Sequence, residues 1–143
     1  MKRDPRLQGL SSDHHQALVL ARTLLEKQGP FSHIDPHELG HRFDVELEPH
    51  FLVEDKWLLP PLREAGLTAL CDRFAKDHAD LRRLISLARV GDADSAVSLG
   101  KRLHEHVRFE EREFFPACEE RLSDEILSKV NQAAPHPTLH VKD

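Results

Sequence analysis

The chain has 143 residues, of which 39% are hydrophobic and 31% charged, with a formal net charge of −5. One domain of this length, 1–143, can bury a single core, and the composition suits a soluble protein with exposed helix faces. The acidic balance argues against a nucleic-acid partner, and no apolar run approaches the roughly 20 residues of a membrane span.

The first residues, MKRDPRLQGL, lack the apolar stretch of a secretory signal. Cys71 and Cys118 are the only thiols and have no CxxC spacing, so neither a disulfide framework nor a thiolate zinc site is written here. A cytoplasmic location is the expectation. Eleven histidines stand against one tryptophan and no tyrosine, and histidine is the commonest metal ligand.

Hydrophobic periodicity is helical almost throughout and predicts an all-α fold. The first helix is expected from about Ser11 to Gln28, with Ser11 or Ser12 as N-cap and Gly29-Pro30 as the stop. Asp35 with Pro36 and Glu38 reads as the capped start of a second helix, running through His50 to about Leu59. Pro60-Pro61 is expected to kink or end it, and Gly66 to close the segment. A third helix is expected over Leu67 to Val90, ending at Gly91, and a fourth from near Asp94 to Pro116. A short fifth over Ser123 to Gln132 leaves a loose tail, 133–143. Four main helices with short connections, spanning about 10–120, imply an antiparallel up-down-up-down four-helix bundle with a short C-terminal helix.

Two segments repeat each other: HFLVEDKWLLP at 50–60 and HVRFEEREFFP at 106–116. His50 and His106, Glu54 and Glu110, and Pro60 and Pro116 are each 56 residues apart. Residues four apart on a helix share a face, so His50 pairs with Glu54 and His106 with Glu110. Both pairs lie in stripes that otherwise bury apolar side chains, Phe43–Leu47–His50–Glu54–Trp57 and Leu99–Leu103–His106–Glu110–Phe114. Unpartnered, such buried imidazoles and carboxylates cost several kcal/mol.

The other two helices add a histidine each. His78 interrupts the stripe Leu67–Leu70–Phe74–Leu81–Ile85–Ala88, and His14 leads into Ala17, Leu18, Ala21, Leu24 and Leu25. His14 is preferred to its neighbour His15, which would put Arg22 on the buried stripe. Four histidines and two glutamates without thiolate suit iron, manganese or zinc. Two carboxylates able to bridge, with two imidazoles per metal, describe a dinuclear site and account for the duplication. Glu46, one turn before His50, is a possible extra or supporting acid, although Leu47 can take the inward place. Asp55 and Glu111 read as exposed acids or as partners orienting a histidine. His33, His37, His41, His104, His136 and His140 read as surface or tail residues.

With DHHQAL in the first helix, DHADLRRLI in the third and the two repeated segments, positions 10–120 resemble the bacterial hemerythrin-like (HHE cation-binding) domains. The resemblance implies a four-helix bundle around two iron ions in an oxo- or hydroxo-bridged non-haem centre, with zinc or manganese as alternatives. It suggests His14, His50, His78 and His106 as terminal ligands and Glu54 and Glu110 as bridges. Oxygen-carrying members place two histidines one turn apart on the third helix. Phe74 and Arg82 flank His78 here instead, leaving a position expected to be open or water-filled. The partners implied are dioxygen, nitric oxide or peroxide, bound for sensing or iron handling. A di-iron oxidase, peroxidase or nitric oxide reductase is the enzymatic alternative, and a zinc-stabilised or metal-free interaction bundle the third reading.

Overall fold

The computed structural model describes residues 3–134, and the described chain is all helix, turn and coil. The expected tail beyond 134, with His136 and His140, lies outside the described residues.

Helix α1 spans Gln8–Leu24 and is preceded by a 3-10 turn, Pro5–Leu7. It starts earlier than Ser11 because the buried stripe extends back through Leu10 and Leu7, both fully buried. The cap is Asp4, whose side chain accepts the backbone N–H of Arg6, with Pro5 in the first position. Helix α1 also stops short of Gln28. Leu24 is its last buried residue, and the chain then tightens through Leu25 N–H to Arg22 O at 3.1 Å.

Helix α2 covers 36–64 and begins as expected, with the Asp35 carboxylate accepting the N–H of Glu38 at 2.8 Å. Pro60-Pro61, expected to kink or end the helix, do not end it, and it continues through them to Glu64. The device is a wide turn. Phe43–Leu47 and Glu54–Leu58 are π-helical, with the N–H groups of Glu48 and Leu59 reaching back five residues to Phe43 O and Glu54 O. Pro49 and Pro60 follow directly. Proline lacks the donor and its ring collides with the carbonyl four residues back, and one extra residue in the turn moves that carbonyl aside.

Helix α3 is Thr68–Ala88, closed by Gly91 at φ 101°, a left-handed conformation that only glycine adopts without cost. Helix α4 covers 93–121 and repeats the device: a π turn at Glu110–Phe114, with Phe115 N–H bonded to Glu110 O, carries it past Pro116. Helix α5 is Asp124–Ala133, capped by Ser123 accepting the N–H of Ile126 at 3.2 Å.

The apolar core divides in two. One cluster gathers Ala17 to Leu24, Leu39 to Phe51, Leu81 to Ala88 and Ala96 to Val107. The other gathers Leu7, Leu10, Leu58, Leu62, Cys71, Phe74 and Phe109 to Cys118, with α5 laid over its end through Leu127 and Val130. Helices α1 and α3 run from the second cluster to the first, and α2 and α4 run back. All four cross the boundary between the clusters, and the inward histidines and glutamates lie on it.

Candidate metal centre

The described residues bury seven polar or charged side chains: His14, His50, Glu54, His78, Ser95, His106 and Glu110. Six of them are the six residues singled out by spacing and resemblance, and the bundle brings all six together. His15 is exposed. Glu46 stays half-buried beside Arg42 at 3.4 Å, away from the cluster, while Leu47 takes the inward place. His33, His37, His41 and His104 are exposed.

Two overlapping groups of four have donor atoms within 4.8 Å of one another. They are His14, His50, Glu54 and Glu110, and Glu54, His78, His106 and Glu110. Both glutamates belong to both groups, and each group adds its own pair of imidazoles. Within the motifs, His50 Nε2 is 3.0 Å from Glu54 Oε2 and His106 Nε2 is 2.9 Å from Glu110 Oε1. The lone histidines reach the same carboxylates across the bundle, His78 to Glu54 at 3.3 Å and His14 to Glu110 at 3.5 Å.

These contacts are close but are not hydrogen bonds. Among the described residues, eight buried side-chain polar atoms have no hydrogen-bond partner. Seven belong to this cluster: the Nε2 atoms of His14, His50, His78 and His106, both Glu54 oxygens and Glu110 Oε2. Buried orphan atoms are rare and costly. Seven that converge on two points, all of them nitrogen or carboxylate oxygen donors, fit two divalent cations sharing the carboxylates.

The outward edge of every imidazole is satisfied. The Nδ1 atoms of His14, His50, His78 and His106 meet Glu111 at 2.6 Å, Asp13 at 3.1 Å, Asp55 at 2.7 Å and Asp77 at 3.1 Å. The pattern runs around the bundle in one sense, with α1 supplying an acid to α2, α2 to α3, α3 to α4 and α4 to α1. A carboxylate holding Nδ1–H leaves the Nε2 lone pair facing inward, the tautomer a metal requires. Asp13 and Asp77 escaped the sequence reading, although each directly precedes a cluster histidine (Asp13-His14, Asp77-His78) as Asp55 and Glu111 directly follow the glutamates.

The buried carboxylates favour positive charge on the rings. Burial alone would lower the imidazole pKa values, but the Glu110 carboxylate raises His14 and His106 to about 9. Glu54 with Asp13, and Asp55 with Glu54, likewise overcome burial to raise His50 and His78. Burial pushes Glu110 up, yet His106 and its neighbours hold it well below the usual range. Burial also opposes the lowering of Asp55 and Glu111 by their histidine partners. Protons on the rings thus occupy the electrostatic place of cations.

Two small cavities adjoin the cluster. One of about 10 Å³ lies against His14, His50, His106 and Glu110 under an apolar wall of Ala17, Leu47, Phe51, Leu103 and Val107. A polar one of about 30 Å³ reaches His106 from the surface past Arg73, Asp77, Asp80, Arg102 and Glu105. One turn before His78 stands Phe74, which is fully buried. Its ring lies 4.3 Å from that of His78 and 5.4 Å from that of His106.

Residues 7–118 match the family model described as the hemerythrin HHE cation binding domain. Neither a curated protein nor a solved structure matches the chain.

Proposed function

Because the chain belongs to the hemerythrin HHE cation-binding domain family, we propose that its buried cluster holds two iron ions and binds dioxygen or a related small molecule. His14 and His50 would serve one iron, His78 and His106 the other, and Glu54 and Glu110 would bridge them. Iron in such a donor set supplies one-electron chemistry and affinity for dioxygen, nitric oxide or peroxide.

The protein's own part is to orient, neutralise and exclude. The four outer acids fix the ring tautomers, and the two bridging carboxylates offset cationic charge in an interior that would otherwise reject it. The observation that carries the small-molecule reading is the apolar cavity beside His14 and His50. Its volume of about 10 Å³ suits one water-sized molecule, whereas organic ligands occupy roughly 300 Å³ or more.

One observation favours turnover as the second reading. The polar cavity ending at Asp77 and His106 offers a proton route that reversible binding does not need and reduction of peroxide or nitric oxide does. With no tyrosine in the chain, a tyrosyl-radical route is absent.

The test is metal content on protein expressed with iron, followed by anaerobic titration of the reduced form with dioxygen or nitric oxide under optical absorption. Two irons per chain and a saturable change near one equivalent of gas support the proposal. Two irons with an indifferent spectrum remove the small-molecule reading, and iron near zero removes the di-iron reading. Steady consumption of peroxide or nitric oxide with an electron donor selects the enzyme.

A further inference from the structure

The four imidazoles are not held in the same way. His50 and His106 each carry a glutamate four residues on, so their own helix places a carboxylate at Nε2. His14 and His78 have Leu18 and Arg82 at that position and depend on groups brought from elsewhere. At both, the same three-part arrangement recurs. His14 donates Nδ1–H to Glu111 at 2.6 Å, and Arg3 donates to the Glu111 carboxylate at 3.1 Å and to its backbone carbonyl at 2.9 Å. Arg3 also lies over the ring of Phe115 at 5.4 Å, and that ring stacks on His14 at 5.5 Å and 6°.

His78 is held by a copy of this arrangement. It donates Nδ1–H to Asp55 at 2.7 Å, and Arg82 meets Asp55 at 3.0 Å. Arg82 lies over Phe51 at 5.5 Å, and Phe51 stacks on His78 at 4.1 Å and 19°. Each arginine also takes a second acid, Glu119 for Arg3 at 3.0 Å and Glu48 for Arg82 at 2.8 Å. Among the described residues, Asp13 and Asp77, which hold His50 and His106, have no lysine or arginine ion-pair partner.

We propose that Arg3 and Arg82 are paired positioning residues, each locking the edge and the face of one lone histidine through an acid and a phenylalanine, so that each controls the loading of one metal position. A planar guanidinium suits this task because it can bond a carboxylate and lie over a ring at once. The inference rests on the di-iron reading above. It adds that the His14 position depends on a residue ahead of α1, outside the span of the family match.

The experiment compares wild type, Arg3→Ala and Arg82→Ala by two readouts. In metal-free protein, NMR follows the imidazole Nδ1–H resonances of His14 and His78. Arg3→Ala is expected to broaden the His14 resonance through solvent exchange and spare that of His78, and Arg82→Ala to do the reverse. In the second readout, anaerobic ferrous iron is titrated against a competing chelator. Each variant should lose affinity for one of two equivalents by about 10–100-fold while keeping the other. Glu111→Gln, which keeps shape but weakens the acceptor, is expected to affect His14 alone and replaces Arg3→Ala if that variant does not fold. Unchanged ring protons in both arginine variants, or loss of both resonances together, overturn the proposal. A wild type binding fewer than two irons defeats the di-iron reading, while the ring-proton comparison still decides the positioning roles.

Discussion

The ring of Phe74 lies 3.8 Å from Phe114, stacked within 8°, and 4.3 Å from His78. Phe74 is fully buried, so it closes the cluster with hydrocarbon beside His78, which lines neither of the two small cavities, whereas His14, His50 and His106 each border one. Truncating a buried phenylalanine costs about 3–5 kcal/mol when the site cannot collapse. Phe74→Ala is therefore expected to lower unfolding stability by that amount, measured by urea denaturation of the metal-free protein. A cost below about 1 kcal/mol would mean that the wall is loose and that His78 has open space beside it.

The shared carboxylates and the unshared imidazoles should differ in what their loss removes. Glu110 faces both groups of four, whereas His78 faces one. Glu110→Ala is expected to abolish both metal equivalents, and His78→Ala to weaken one while leaving the other within a few-fold of wild type. Metal per chain after desalting measures this. Equal losses in both variants would sink the picture of two positions sharing two acids.

Much of this centre was legible in the chain because the information is local. The repeated His-x-x-x-Glu puts two donors on one helix face whatever the bundle does, and an apolar stripe broken by His78 marks that residue as inward. The residues missed are those whose role is set across helices. Asp13 and Asp77 sit next to inward histidines, a step off the buried face, and only when α2 and α4 come alongside do they meet His50 and His106. That the prolines do not end their helices is hidden from the sequence for a related reason. Pro60 and Pro116 forbid an ordinary α turn, but the chain answers by widening the turn, so the inward place after Glu54 passes from Trp57 to Leu58, which is fully buried. Periodicity at a fixed 3.6 residues does not register that shift.

Helix α1 packs tightly against α4 at Gly100, where an added Cβ would stand 3.0 Å from the Ala21 carbonyl and 3.0 Å from Leu25 Cγ. Alanine would gain about 1 kcal/mol of helix propensity over glycine, but overpacking against a backbone oxygen costs about 1–3 kcal/mol. Gly100→Ala is expected to be net destabilising by about 1 kcal/mol and to draw His14 away from Glu110. Urea midpoints together with iron affinity test this, and a stabilised variant with unaltered binding would show that α1 has room to move.

Removing the metal should change how stability depends on pH. In the metal-free fold His14 and His106 keep their protons up to about pH 9, against an ordinary value of 6.5. Raised values mean that the folded form binds protons more tightly than the unfolded chain. The stabilisation from this pair is complete below about pH 6.5 and is lost as pH climbs through 9. Glu110, held well below its ordinary value of 4.5, acts in the opposite sense. Its contribution is present above that value and fades as pH falls through its lowered folded value. The metal-free protein is accordingly expected to be most stable near pH 5–6, with Tm declining steadily from 6.5 to 9. In the proposed iron-loaded form the Nε2 lone pairs would bind metal instead of protons, so raising the pH would remove competition and Tm should hold or rise over the same window. Calorimetry of both forms at matched ionic strength checks this. Parallel pH profiles for the two forms would mean that protons and metal do not compete for these nitrogens, and the ligand assignment would fall with them.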